Sequence, residues 1–329
     1  MTTPMHILSF IRRLRRSRLP GLAALLLLGA ANRARSAAAF DPAQFDGQRA
    51  YLEVADLVRF SPRDAGTPGA EAAARHLAAR LQALGVASTM DTFTNATPAG
   101  SRTFCNVIGR LPGGRPGIIL LGSHYDTKSG IGPRFQGAND SGSSSGALLE
   151  LARLMATAGL ARERRPEIRF AFFDGEECLR DYGANDGLHG SRHLAANMVR
   201  NGELRRLQAM ILLDMVGDRN LRITFPRNSD SRLIGRYFAA AAAEGARERF
   251  MLADMGTLDD HEPFRAAGAP AVDVIDFASD RGPDGRSYWH TEEDRLDKIS
   301  AASLQLIGRV TVRVINSLLQ NELTEGGAP

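Results

Sequence analysis

The sequence predicts a single α/β domain, a mostly parallel or mixed central sheet with helices on both faces. Three observations predict it. Short apolar runs such as 117–122 and 168–173 are hydrophobic without alternation, as in strands covered on both faces. Stretches with apolar residues at helical spacing lie between them, so strand and helix alternate along the chain. The 329 residues, 43% hydrophobic and 24% charged, are the composition of a globular chain that can bury a sizeable core.

The elements follow in order. Residues 43–58 read as a helix, and the Pro- and Gly-rich stretch 60–69 as a loop. Residues 70–84 carry Ala73, Leu77, Leu81 and Leu84 on one helical face, with Gly85 as the stop. Strands are expected at 87–94 and 103–111, then at 117–122. Helices at 145–158, 191–198, 231–246 and 300–319 alternate with strands at 168–173, 209–213 and 271–275. No internal repeat and no linker divides residues 40–322, and 323–329 read as a C-terminal tail.

The net charge of +4 points toward nucleic acid only until its distribution is read. Residues 1–39 hold seven Arg and no acid, which leaves 34 basic against 37 acidic side chains, a net of −3, from residue 40 onward. A nucleic-acid partner is therefore not expected. The basic residues Arg12 to Arg18, the apolar run Leu19–Ala31 and the small residues Ser36 to Ala39 form the pattern of a secretory signal peptide. Its 13 apolar residues fall short of the roughly 20 that span a bilayer, so export without stable membrane insertion is expected, to the periplasm or the exterior. Cys105 and Cys178 are open to two readings, a disulfide or two free thiols.

Ligands in open α/β sheets gather at the carboxyl ends of strands. Here Ser123-His124-Tyr125-Asp126 follows one apolar run, Asp174-Gly175-Glu176-Glu177 a second, and Asp214 ends a third. Asp140 lies in the glycine-flanked turn 137–142, and His290 follows Trp289 near the end. Any one such acid is ordinarily a helix cap, and His189 and His193 read as backbone-binding residues at a helix start. As a set, His124, Asp140, Glu176, Glu177, Asp214 and His290 offer imidazole and carboxylate donors without thiolates, which suits zinc in a catalytic site. Adjacent glutamates can divide the work, one ligating and the other carrying protons.

These residues resemble the zinc-dependent aminopeptidase superfamily of exopeptidases, and within it most closely the glutaminyl-peptide cyclotransferases. The superfamily features are His124-Tyr125-Asp126, the turn ending in Asp140, the Glu176-Glu177 pair, Gly190-Ser191-Arg192 and His290-Thr291. Lys128, Asp174-Gly175, the stretch 186–195, the run Asp259-Asp260-His261-Glu262-Pro263-Phe264 and Trp289 favour the cyclotransferase branch. The resemblance implies one zinc held by Asp140, Glu177 and His290, with Glu176 as general acid and base. Asp214 and Asp259 form an acidic network beside it, and Trp289 and Tyr182 wall the substrate pocket. The same scaffold in aminopeptidases implies two zinc ions, the second using His124 and Asp214 with a bridging Asp140.

Peptide or protein N-termini are the expected substrates, and the oligomeric state is left open. A di-zinc aminopeptidase and a non-catalytic protein on the same fold are the alternatives. The chain departs from the resemblance at three places. Tyr182 stands where cyclotransferases carry a second tryptophan, Asp273 replaces a histidine, and the loop 276–288 is long and polar, with Asp280, Arg281, Asp284 and Arg286.

Overall fold

The computed structural model describes residues 40–277 and 287–325, with side chains through residue 320. The leader, the loop positions Asp280, Arg281, Asp284 and Arg286, and residues 326–329 lie outside the described residues.

The chain runs α1 (Gly47–Leu57), α2 (Pro68–Ala83), β1 (Ala87–Thr97), β2 (Gly100–Leu111), β3 (Ile118–His124), α3 (Ser144–Thr157) and β4 (Glu167–Phe173). It continues through α4 (His189–Arg200), β5 (Leu207–Asp214), β6 (Ile223–Phe225), α5 (Ser231–Ala243) and β7 (Phe250–Leu252). It ends with α6 (Glu262–Ala266), β8 (Ala271–Ile275) and α7 (Ala301–Glu325). The strands form one eight-stranded sheet in the order β1-β2-β4-β3-β5-β8-β6-β7. β4, β3, β5 and β8 are mutually parallel, whereas β1 and β2 add antiparallel on one side and β6 pairs antiparallel with β8 on the other. The sheet is mixed, with a parallel centre.

Both faces of that centre are covered, as the unalternating strands require. Ile119, Leu121, Phe170, Phe172, Ile211, Leu213, Val272 and Val274 point to one face and join the main core cluster with residues of α1, α2, α3, α5 and α7. Ile118, Leu120, Ala171, Phe173, Met210, Leu212 and Ala271 point to the other, against Leu194, Ala195 and Met198 of α4 and Phe264 of α6. Alternate residues of one strand thus serve two cores. Helix starts are set locally: Asp46 accepts from the N–H groups of Gln48 and Arg49, and Asp230 from those of Arg232 and Leu233.

The expected elements are present, with shifted ends. β1 and β2 extend three residues further toward their shared turn than their sequence suggests, because Thr94, Asn95 and Arg102 pair across a solvent-facing hairpin. The strands β6 and β7 and the helix α6 were not expected. Each is three to five residues long, too short to show a period; β6 and β7 add to the sheet edge beside β8, and α6 packs Phe264 against one face of the sheet. No helix among the described residues is long and apolar enough to cross a membrane. Cys105 and Cys178 are free and buried, which decides between the two readings of the thiols.

Leu121 has no solvent exposure and lies in the middle of β3. Leu121→Ala is expected to lower stability by about 2–5 kcal/mol, through lost burial and the cavity left behind. Urea unfolding followed by circular dichroism checks this, and a loss below about 1 kcal/mol would show that the site collapses freely.

Candidate metal centre

Parallel strands end together, and that delivers two of the polar groups. In the β3–β4 register His124 stands opposite Phe173, the last residue of β4, and Asp214 ends the neighbouring β5. Glu176 and Glu177 come from the turn after β4, Asp140 from the turn at 138–143, and His290 from the segment before α7. The sequence therefore brings these groups in from five separate stretches.

Buried carboxylates anchor those stretches. Asp126 accepts the backbone N–H of Glu176 through Oδ1 at 3.1 Å and that of Glu177 through Oδ2 at 3.2 Å. His124 Nδ1 lies 3.2 Å from the carbonyl oxygen of the same aspartate. Asp126 thus ties the end of β3 to the end of β4. The tight path before Glu176 needs Gly175, at φ +71°, because a Cβ there would sit 2.6 Å from the Phe104 ring. Asp294 holds the Asp140 turn in the same manner, accepting from Asn139 N at 2.7 Å and Asp140 N at 3.0 Å. From below, the fully buried Arg63 donates to the carbonyl oxygens of Tyr125, Gln136 and Gly137.

Two donor groups result, and they share Asp140. One is Asp140, Glu177 and His290, with His290 Nε2 at 2.9 Å from Glu177 Oε1 and 3.3 Å from Asp140 Oδ2. The other is His124, Asp140 and Asp214, with His124 Nε2 at 3.1 Å from Asp140 Oδ1 and 3.4 Å from Asp214 Oδ1. Glu177 Oε2 and Asp214 Oδ1 are buried and make no hydrogen bond. Orphaned buried carboxylate oxygens are costly, so a donor set of this kind fits a bound divalent cation. Lys128 Nζ, 3.6 Å from Glu177 Oε2, is the nearby cation that the protein itself supplies.

The electrostatics agree with this crowding. Burial alone would lower His124, but the carboxylates of Asp126, Asp140 and Asp214 raise it well above the ordinary imidazole range. Burial would likewise lower His290, which Asp140 and Glu177 raise to about 9. Burial raises Glu176 well above the usual carboxylate range, and Glu177, Asp259 and Asp260 push it the same way. Asp259 is raised well above the usual carboxylate range by burial and then by Asp214 and Asp260, and Asp273 by burial and then by Asp259 and Asp214.

The aromatic residues stand around this cluster. Trp289 stacks on the His290 ring at 4.0 Å between centroids, and Phe277 meets the indole edge-on at 5.6 Å. Tyr182 Oη donates to Glu176 Oε1 at 2.9 Å and lies 3.2 Å from Oε2.

Residues 106–315 match the model of peptidase family M28. The chain belongs to that family. It is 31% identical to a glutaminyl-peptide cyclotransferase of Bos taurus over 78% of this chain and 76% of that one. Among solved structures, a glutaminyl cyclase of an Acidobacteriales bacterium superposes with a TM-score of 0.77 at 35% identity, covering 84% of this chain and 96% of that one. A Porphyromonas gingivalis glutaminyl cyclase superposes with a TM-score of 0.73 at 30% identity, covering 83% and 99%.

Sequence reading missed several residues that build the M28 site. Asp126 and Asp260 appeared only as parts of motifs, and Arg63 and Asp294 carried no signal. The backbone groups that Asp126, Arg63 and Asp294 hold lie 50 to 155 residues away, so nothing local marks them. Asp259, His261 and Asp273 also form a third tight donor group, and Asp273 had registered only as a departure from a resemblance. His189 and His193 meet side chains, Asn95 for the first and Asn197 with Asp91 for the second, rather than backbone.

Asp126→Ala removes the acceptor that orients both glutamates. Metal affinity, measured by competition with a chromogenic chelator, is expected to fall about 10–100-fold, and unchanged affinity would refute the anchoring role.

Proposed function

We propose that this M28 chain is a glutaminyl-peptide cyclotransferase, which converts the N-terminal glutamine of peptides or proteins to pyroglutamate and releases ammonia. The observation that carries the reading is Trp289 lying flat on His290 beside the Asp140–Glu177–His290 group. An aromatic wall against a metal ligand makes a slot for the methylenes of one glutamine side chain. The glutaminyl cyclases among its relatives support the same reading.

Asp140, Glu177 and His290 would hold one zinc ion, a Lewis acid that polarises the γ-carbonyl of the bound glutamine. Trp289 and Tyr182 flank the side chain and exclude water. Glu176, which accepts no metal in this reading, takes a proton from the α-amine as its nitrogen bonds to the γ-carbon. The bond from that carbon to the amide nitrogen then breaks, and Glu176 returns the proton to the leaving ammonia. A carboxyl group raised by burial and by negative neighbours is suited to both transfers. Asp214 and Asp259 receive the departing nitrogen.

A second reading follows from the His124–Asp140–Asp214 group, which would complete a second zinc site and make the chain an aminopeptidase. Glu176 is the proton carrier there too, acting on water. The residues before Phe40 support export, with the catalytic domain spanning 40–322.

Purified protein incubated with a Gln-peptide and with leucine amide separates the readings. One zinc per chain and ammonia release are expected; two zinc ions with free amino acid would establish the aminopeptidase. Glu176→Gln is expected to retain zinc and lower turnover about 10²–10⁴-fold, the scale of a lost general acid/base. Asp140→Ala and His290→Ala are expected to lose the metal, and stoichiometric zinc in both would overturn the ligand set.

A further inference from the structure

We infer that Tyr182 is a positioning residue for this reaction: its hydroxyl fixes the Glu176 carboxylate in the orientation from which the proton is exchanged. The inference takes its substrate from the cyclotransferase reading, but it needs only that Glu176 carries the proton.

The case begins with the loop. Glu176 stands at the end of β4 and Tyr182 six residues on, and the stretch between them closes back on itself. Asp186 caps it, accepting from the backbone N–H groups of Leu179 at 2.6 Å, Arg180 at 2.9 Å and Asp181 at 3.2 Å. Gly183 N donates to the Asp186 carbonyl at 2.9 Å, and Arg192 Nη1 donates to the carbonyls of Gly183 and Ala184 at 2.6 and 3.2 Å. Leu188 N returns to the carbonyl oxygen of Glu176 itself at 2.9 Å. The base and the tyrosine therefore belong to one hydrogen-bonded unit.

The ring has a built seat. Gly187, at φ +75°, leaves the space that the phenol occupies, since a Cβ there would lie 2.4 Å from Tyr182 Cδ1 and 2.7 Å from Cε1. Seated there, the hydroxyl spans both Glu176 oxygens, at 2.9 and 3.2 Å. Among the described residues, the structure shows no other side-chain donor to Glu176. A glutamate side chain rotates about three bonds, so a single anchor decides how often its free lone pairs face the pocket. A purely apolar wall would shed water equally well and leave the carboxylate unheld. The ring of Tyr182 is partly exposed, and Tyr182→Phe keeps that ring in its seat, so the substitution acts on the contact with the buried Glu176 carboxylate rather than on the packing.

The test is a double-mutant cycle of Tyr182→Phe and Glu176→Gln on metal-loaded protein. Y182F is expected to lower kcat about 10-fold, the scale of one hydrogen bond to a charged group, with KM within about 2-fold and metal content unchanged. In the E176Q background the same substitution is expected to change kcat less than about 2-fold, because the group that the hydroxyl orients no longer carries the proton. An unchanged kcat in Y182F, or an equal loss in both backgrounds, would overturn the inference. If wild-type protein frees amino acid rather than ammonia, the cyclotransferase reading falls and the cycle is read on that hydrolysis. A readout without turnover completes it. In protein carrying ¹³C-labelled glutamate, the Glu176 carboxyl resonance, assigned by its loss in E176Q, is expected to move in Y182F. A resonance that stays in place shows that the hydroxyl does not hold the carboxylate.

Discussion

Carboxylates taken out of water lose their hydration and repel one another, and this protein gathers many buried ones around the carboxyl end of its sheet. Among them are Asp126, Asp140, Asp174, Glu176, Glu177, Asp214, Asp259, Asp260, Asp273 and Asp294. The site is the set of answers to that one problem. Asp126 and Asp294 are answered by backbone N–H groups, and Asp140 by two imidazoles. Asp259 and Asp273 are held well above the usual carboxylate range by burial and negative neighbours, and Glu176 is answered by a phenol. Glu177 Oε2 and Asp214 Oδ1 are left without a hydrogen bond, which is where a cation belongs.

Such a cluster is stable only on a scaffold that holds its members in place. The parallel centre of the sheet does this, because β3, β4 and β5 pack apolar side chains on both faces and cannot slip without moving both cores. A one-residue slip in β3 would turn His124 away from Asp140 and expose Leu121 to the wrong side. The fold and the chemistry are thereby tied: the register that buries the core also aims the donors. The turns that carry Asp140 and the glutamates gain their rigidity from Arg63, Asp294 and Asp126, so the loops behave as part of the core.

The pocket side of the site divides between aromatic and acidic groups. Trp289 and Phe277 supply apolar surface next to His290, while Tyr182 faces Glu176 with a hydroxyl. That division suits a reaction in which an uncharged side chain must be held dry while a proton moves from one nitrogen to another. Tyr182 thus offers the wall both surface and a hydroxyl contact to Glu176.

The sequence by itself determined the alternation of strands and helices, because unalternating apolar runs have no stable place except a doubly covered strand. It also determined the candidate ligands, since acids and imidazoles that recur where strands stop are visible as a pattern along the chain. The tertiary structure decided what no local pattern records. Asp126 and Asp294 work through backbone groups far away in the chain, Arg63 through carbonyl oxygens of two turns, and Asp273 through a neighbour on another segment. Short elements such as β6 and β7 exist because an edge was waiting for them. The physical reason is common to all: hydrogen bonds between distant segments form only after the chain has closed, and their partners are chosen by position in space rather than by order in sequence.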